Sequence, residues 1–82
     1  MNEEYLRQLA GIKSETELQR AIETICLAFG GIRDCRLVLD KKNASYFCFV
    51  EPALPGACSA IMKQLGGTYF GNGLVFRIPT DP

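Results

Sequence analysis

Apolar residues recur at three- and four-residue spacing between residues 18 and 29, which is the period of an amphipathic helix. The stripe consists of Leu18, Ala21, Ile22, Ile25 and Phe29. Ser14 followed by Glu17 matches the S-x-x-E capping box, in which the two side chains satisfy free backbone N–H groups. The pattern therefore predicts a helix that begins at Ser14 and ends at Gly30-Gly31, where glycine permits a left-handed exit.

The next segment, IRDCRLVLD over residues 32–40, alternates with a period of two and predicts a strand. One face would carry Cys35, Leu37 and Leu39. The other face would carry Arg36, Val38 and Asp40. Lys41, Lys42 and Asn43 would form the turn that follows.

A second strand, SYFCFV over residues 45–50, is apolar on both faces, because Phe47 and Phe49 alternate with Cys48 and Val50. If Cys48 and Val50 pack beneath the helices, the two rings stand on the open face of the sheet. The opposite register would bury the rings. Spacing alone leaves both registers open.

The C-terminal third predicts a short helix and a last strand. Pro52 and Pro55 interrupt strand pairing, and Pro55 suits the first turn of a helix. The apolar side of that helix would carry Cys58, Ile61, Met62 and Leu65, and Gly66-Gly67 would end it. GTYFGNG, residues 67–73, indicates a glycine-rich turn, and LVFRI, residues 74–78, indicates a strand.

The N-terminal segment EYLRQLAGI, residues 4–12, is compatible with a short strand that leads into a turn at Gly11. With it, the order becomes strand, helix, strand, strand, helix, strand. Right-handed crossovers turn that order into a four-stranded antiparallel sheet with both helices on one face. This predicts the ferredoxin-like βαββαβ arrangement of the α+β class, with one sheet face bare.

Length and composition predict one small intracellular domain, residues 1–82. The acidic N-terminus MNEEYLRQ lacks the layout of a signal peptide, and no apolar run approaches the roughly 20 residues that span a bilayer. A cytoplasmic or nuclear location is therefore expected, without a membrane. The four cysteines form no C-x-x-C pair, which favours buried, reduced thiols, although a disulfide stays open as an alternative.

The balance of charges and the absence of histidine limit the kinds of functional site that the chain can form. Nine Lys plus Arg balance nine Asp plus Glu, so any nucleic-acid site must be local. Without histidine there is no imidazole base and no His-ligated metal. We therefore expect no enzyme, no catalytic residue, no metal and no cofactor; a small-molecule regulatory module has no residue signature and stays open.

Residues 45–52 resemble the octapeptide of the RNA recognition motif family, K/R-G-F/Y-G/A-F-V-x-F/Y. Phe47, Phe49 and Val50 match it, and Cys48 stands in for G/A. The hexapeptide of that family lies over residues 4–9, with Tyr5 at its aromatic position. Residues 60–78 resemble its second helix and final strand, so the resemblance covers nearly the whole chain. The departures are Glu4, Ser45, Tyr46 and Pro52.

The resemblance implies binding of single-stranded RNA on the open sheet face. Tyr5 and Phe49 would stack on two successive bases, and Phe47 would lie against the sugars between them. Stacking of this kind tolerates any base, because every base has a π-face. Strand alternation would add cations to the same face and its rim, namely Arg7, Arg36, Arg77, Lys41 and Lys42.

Protein binding is the alternative function. The U2AF homology motifs, which are peptide-binding variants of the same fold, hold a ligand tryptophan with an R-x-F sequence before the last strand and with an acidic first helix. Thr68-Tyr69-Phe70 falls at that place, with threonine in the position of the arginine. The exposed rings could also be covered by a second copy of the chain or by another domain.

Overall fold

The computed structural model describes residues 3–54 and 56–80, in which three helices cover one face of a four-stranded antiparallel sheet. The helices are α1 (Glu3–Ala10), α2 (Glu15–Leu27) and α3 (Ala57–Leu65). The strands are β1 (Ile32–Asp40), β2 (Ser45–Pro52), β3 (Thr68–Phe70) and β4 (Gly73–Pro79). Their order across the sheet is β1-β2-β4-β3, so the predicted α+β class and four-stranded antiparallel sheet are confirmed.

Residues 3–10 form a helix, so the predicted first strand is wrong, and the described part of the chain has three helices where two were expected. Leu9 is fully buried in the core, and Tyr5 and Leu6 pack against that core. Leu6 and Leu9 lie one and four positions after Tyr5, a spacing that places all three on one side of a helix but on both faces of a strand. As a result, α1 joins the helical layer and contacts α3 and β4.

The fourth strand comes instead from the segment that was predicted to be a turn. Residues 68–70 form β3 and pair with β4, with Thr68 opposite Val75 and Phe70 opposite Gly73. Only Gly71 and Asn72 form the loop of this hairpin, and Gly71 has a φ of 57°, which suits a tight two-residue turn. The sheet therefore keeps four strands although α1 is not one of them.

Helix α2 begins where the sequence predicts but ends at Leu27, before the predicted end at Gly30-Gly31. The Oγ of Ser14 accepts a hydrogen bond from the Glu17 backbone N–H at 3.4 Å, which is the N-cap contact. At the other end, the Gly31 N–H donates to the Cys26 carbonyl at 3.0 Å, and Gly31 has a φ of 85°. The serine half of the predicted capping box is confirmed, and the chain leaves the helix through Gly30 and Gly31, which both have positive φ as a glycine exit requires.

The core fills the space between the helices and one sheet face. Cys48 and Val50 are completely buried there, so β2 adopts the register that turns Phe47 and Phe49 to the open face. Further buried side chains are Leu18, Ile22, Cys26, Ile61, Leu65, Leu74, Phe76 and Ile78. Burial of this apolar surface is the main source of stability for so small a domain.

All four cysteines are free thiols, and Cys26, Cys48 and Cys58 are buried, whereas Cys35 is only half-buried. Burial raises the pKa of Cys26 to about 11. A hydrogen bond between Cys35 and Cys48 lowers the pKa of Cys35 and raises that of Cys48, whose burial adds to the rise. Cys26 and Cys48 are therefore protonated at neutral pH and act as small core side chains.

Candidate nucleic-acid interface

The sheet face opposite the helices is called the platform here. Strand register places alternate residues of all four strands on it. They are Asp34, Arg36, Val38 and Asp40 of β1, Ser45, Phe47, Phe49 and Glu51 of β2, Thr68 and Phe70 of β3, and Val75, Arg77 and Pro79 of β4. The two inner strands therefore present Phe47, Phe49, Val75 and Arg77, and the carboxylates lie on the edge strand β1 and near the end of β2.

Three phenylalanine rings form the aromatic part of the platform. Phe47 is 37% exposed, Phe49 is half-buried, and Phe70 is 64% exposed. The ring centroids of Phe49 and Phe70 lie 5.9 Å apart with an interplanar angle of 78°, an edge-to-face contact. The prediction that Phe47 and Phe49 share the open face is confirmed.

Phe70 is a platform residue that the sequence does not predict, because the glycines around it indicate a turn over residues 67–73. A usable signal was present in Thr68-Tyr69-Phe70, a β-branched and aromatic run that ends at Gly71. Tyr69, the neighbour of Phe70, is equally exposed but has the opposite strand parity and faces away from the platform. The hairpin thus presents one ring on each side of the sheet.

Two arginines lie directly beside the rings. The guanidinium carbon of Arg77 is 4.6 Å from the centroid of Phe47, which is a cation–π contact across the β2–β4 pair. Arg36 is opposite Phe49, and its Nε donates to Asp34 Oδ2 at 3.1 Å. This ion pair is largely exposed to solvent and hence weak, so the Arg36 guanidinium remains able to meet an anionic ligand.

The end of β1 and the turn that follows it place acidic and basic side chains at the rim of the platform. Asp40 accepts hydrogen bonds from the Asn43 side chain at 2.8 Å and from the Asn43 backbone N–H at 3.3 Å. These bonds, together with the nearby charge of Arg77, hold the pKa of Asp40 below its usual value. Lys41 and Lys42 are exposed in the same turn, as predicted, so the rim here carries charges of both signs.

Tyr5 and Arg7 are not part of the platform, and their predicted placement on the open face is wrong. Both lie on α1, where Tyr5 packs against the core and Arg7 is exposed on the helical side of the molecule. The error follows from reading residues 4–9 as a strand. Of the predicted RNA-binding set, the structure therefore brings together Phe47, Phe49, Arg36 and Arg77, with Lys41 and Lys42 at the rim.

The platform offers flat apolar surfaces and cations, which suit ligands that combine a π-system with negative charge. In the described residues, 3–54 and 56–80, no three Cys, Asp or Glu side chains form a group that could hold a metal ion. No helix within those ranges combines the length and the hydropathy needed to cross a membrane.

Comparison with known proteins gives no family for this chain. No protein-family model, curated protein or solved structure matches it. Its function must therefore be inferred from the platform itself.

Proposed function

We propose that this protein binds single-stranded RNA on the platform, with bases stacked on Phe47, Phe49 and Phe70. The proposal rests on one observation, that three rings stand on a sheet face left bare by the helices, with Arg36 and Arg77 beside them. Each base stacked on an aromatic side chain contributes about 1–3 kcal/mol. A single strand suits such a surface because its unpaired bases can be splayed onto the rings.

The resemblance to the RNA recognition motif supports this proposal through β2. The octapeptide lies on that strand, and its Phe47 and Phe49 face outward, as stacking requires. The hexapeptide falls on α1, so Phe70 replaces Tyr5 as the third ring and reaches the platform from another strand. We propose a variant of the ferredoxin-like arrangement in which the N-terminal segment is a helix in the helical layer and β3 supplies the fourth strand.

The platform carries charges of both signs, which affects its affinity for RNA. Arg36, Arg77, Lys41 and Lys42 attract phosphates, whereas three carboxylates at Asp34, Asp40 and Glu51 oppose them. Each phosphate contacted in a single strand contributes about 0.7 to the slope of log affinity against log salt. With so few cations, the slope is expected to be shallow and stacking to dominate the binding free energy.

Protein binding is the second candidate, because Tyr69 and Phe70 are both 64% exposed. An amide chemical-shift map separates the two functions. Titration with mixed-sequence RNA is expected to shift Phe47, Phe49, Phe70 and Val75 and to leave α1 unchanged. A tryptophan-containing peptide that shifts Tyr69 and Phe70 while β2 stays silent would contradict the proposal. So would a sedimentation mass near twice 9.1 kDa that requires the rings.

The Phe70→Ala substitution is expected to weaken RNA binding by roughly 5- to 150-fold, the equivalent of about 1–3 kcal/mol for one stacked base. The Tyr5→Ala substitution is expected to leave the RNA affinity unchanged and to lower the midpoint of thermal unfolding, because Tyr5 packs against the core. Fluorescence anisotropy of a labelled oligonucleotide gives the affinities, and circular dichroism gives the unfolding curves.

The Leu27→Ala substitution serves as the control for loss of an exposed apolar side chain, since Leu27 is exposed on α2, away from the platform. Its affinity should equal that of the wild type. If Tyr5→Ala weakens binding as much as Phe70→Ala does in a folded protein, α1 lines the site and the assignment of Phe70 fails.

A further inference from the structure

A cavity of about 590 Å³ opens where the end of β2, the start of α3 and the β3–β4 turn meet. Its volume falls in the range of roughly 300–1,000 Å³ that is typical of small-molecule sites. The residues that line it include five with polar side chains, namely Arg33, Glu51, Ser59, Tyr69 and Asn72. The stacking proposed above uses none of them.

Glu51 connects this cavity with the platform. It follows Phe49 by two residues on the same face of β2, about 7 Å farther along the strand. Its side chain is 22% exposed, and Arg33 Nη1 lies 3.7 Å from its Oε2. A ligand that runs along β2 over Phe49 therefore reaches this carboxylate next.

Arg33 owes its position to an irregularity in β1. The register shifts between Ile32 and Asp34, so Arg33 is an extra residue in the ladder opposite Glu51 and Pro52. A bulge of this kind redirects a side chain and is common beside binding sites. Here it brings a guanidinium next to the carboxylate, which steadies Glu51 and still leaves acceptor capacity on its oxygens.

The presence of a carboxylate at the end of a nucleic-acid surface needs a reason, because it repels phosphates. An ionised carboxylate is purely an acceptor with two oxygens side by side. Among the common bases, guanine alone presents two adjacent N–H donors, at N1 and N2, on its Watson–Crick edge. Adenine and cytosine place a ring-nitrogen acceptor beside their amino group, and uracil offers a single N–H between two carbonyl groups.

We propose that the cavity holds one guanine base of the bound RNA, with the Glu51 carboxylate accepting hydrogen bonds from its N1–H and N2–H groups. Arg33, whose side chain is 70% exposed, meets the adjoining phosphate, and Tyr69 lines the far side of the same cavity. This inference rests on the proposed function, since the platform delivers the strand to the cavity. It adds a sequence preference to a surface that otherwise accepts any base.

The test uses short oligouridines that carry one guanosine, inosine or adenosine, with that nucleotide moved along the strand. Inosine lacks the 2-amino group, so it removes one of the two hydrogen bonds. The effect of that loss on affinity is measured with the wild-type protein and needs no substitution. At the position that reaches the cavity, guanosine is expected to bind roughly 5- to 150-fold more tightly than adenosine, with inosine between them. Glu51→Gln should abolish the preference, because an amide offers only one acceptor oxygen.

Asp34→Asn is the matched control. Asp34 lies opposite Glu51 on β1, also pairs with an arginine, and its change removes the same single charge. It is expected to strengthen binding to all the RNAs alike and to leave the guanosine preference intact.

Two results would overturn the inference while the proposed function stands. One is equal binding of all the oligonucleotides with an affinity that still depends on Phe47 and Phe49. The other is a guanosine preference that persists in Glu51→Gln. Failure of the wild-type protein to bind any of the RNAs would overturn the proposed function and the inference together.

Discussion

Replacing Phe47 and Phe49 together by alanine is expected to reduce the affinity for single-stranded RNA by about 30-fold or more. Two stacked bases account for about 2–6 kcal/mol of binding free energy, and this substitution removes both surfaces. It also removes the ring over which the Arg77 guanidinium lies, so that cation loses its fixed position. Isothermal titration calorimetry with a mixed-sequence oligonucleotide measures the loss directly.

The double substitution Phe47→Tyr, Phe49→Tyr is the matched control for this experiment. Tyrosine keeps the ring and its π-face and adds one hydroxyl at the end of a side chain that lies on the open sheet face. The affinity should stay within a few-fold of the wild type. If the alanine variant is folded and binds as tightly as the wild type, the rings do not carry the binding and the platform proposal is refuted.

The Gly67→Ala substitution is expected to destabilise the domain by several kcal/mol. Gly67 has a φ of +98°, and a Cβ at this position would overlap the carbonyl oxygen of Val75 in β4. Positive φ costs an ordinary residue about 1–3 kcal/mol, and the overlap with backbone adds a further penalty of about 1–3 kcal/mol that no side-chain rotation relieves. Urea unfolding followed by circular dichroism gives the change in the free energy of unfolding.

Gly31→Ala separates the two costs. Gly31 has a similar φ of +85°, but a Cβ there would meet no described atom within 4 Å. Only the penalty for positive φ should remain, so Gly31→Ala is expected to be clearly the milder change. Equal destabilisation by both variants would show that the close approach of Gly67 to β4 is unimportant.

The position of Gly67 also links stability to the platform. It immediately precedes β3, whose Thr68 pairs with Val75 and whose Phe70 contacts Phe49. A shift of β4 away from residue 67 would therefore move the third ring. We expect the alanine variant to lose RNA affinity even under conditions in which it is mostly folded.

The parts of the fold that the sequence predicted are those with long and regular apolar periods. The apolar stripe that predicts α2 begins at Leu18 and continues to Phe29, just past the end of the helix, and Ser14 caps the first turn. The strands β1, β2 and β4 alternate over five or more residues. Spacing alone leaves the register of β2 open. It is decided by the fit of Cys48 and Val50 under the helices, which is a property of the packed core.

The two elements that the sequence did not predict are short. α1 has eight residues, and three apolar positions at Tyr5, Leu6 and Leu9 discriminate poorly between a helix and a strand. β3 has three residues, too few to establish a period, and it becomes a strand only because β4 is available as a partner. The omission of Phe70 and the inclusion of Tyr5 in the candidate site both follow from these short segments.

The sequence also does not predict which charged side chains form ion pairs. The partnership of Arg36 with Asp34 joins residues on the same face of one strand, which alternation permits but does not specify. The placement of Arg33 beside Glu51 depends on the register shift in β1, which leaves no periodic signal. Interactions of this kind follow from backbone geometry that only the folded chain defines.

The contact between Phe49 and Phe70 reaches over β4 and ties an inner strand to an edge strand of three residues. So short a strand has few backbone hydrogen bonds and is the first part of a sheet to fray. A ligand held by Phe70 would oppose this fraying, and part of its binding free energy would go into ordering the hairpin. Hydrogen exchange should therefore slow most at the backbone amides of β3 when a ligand is bound.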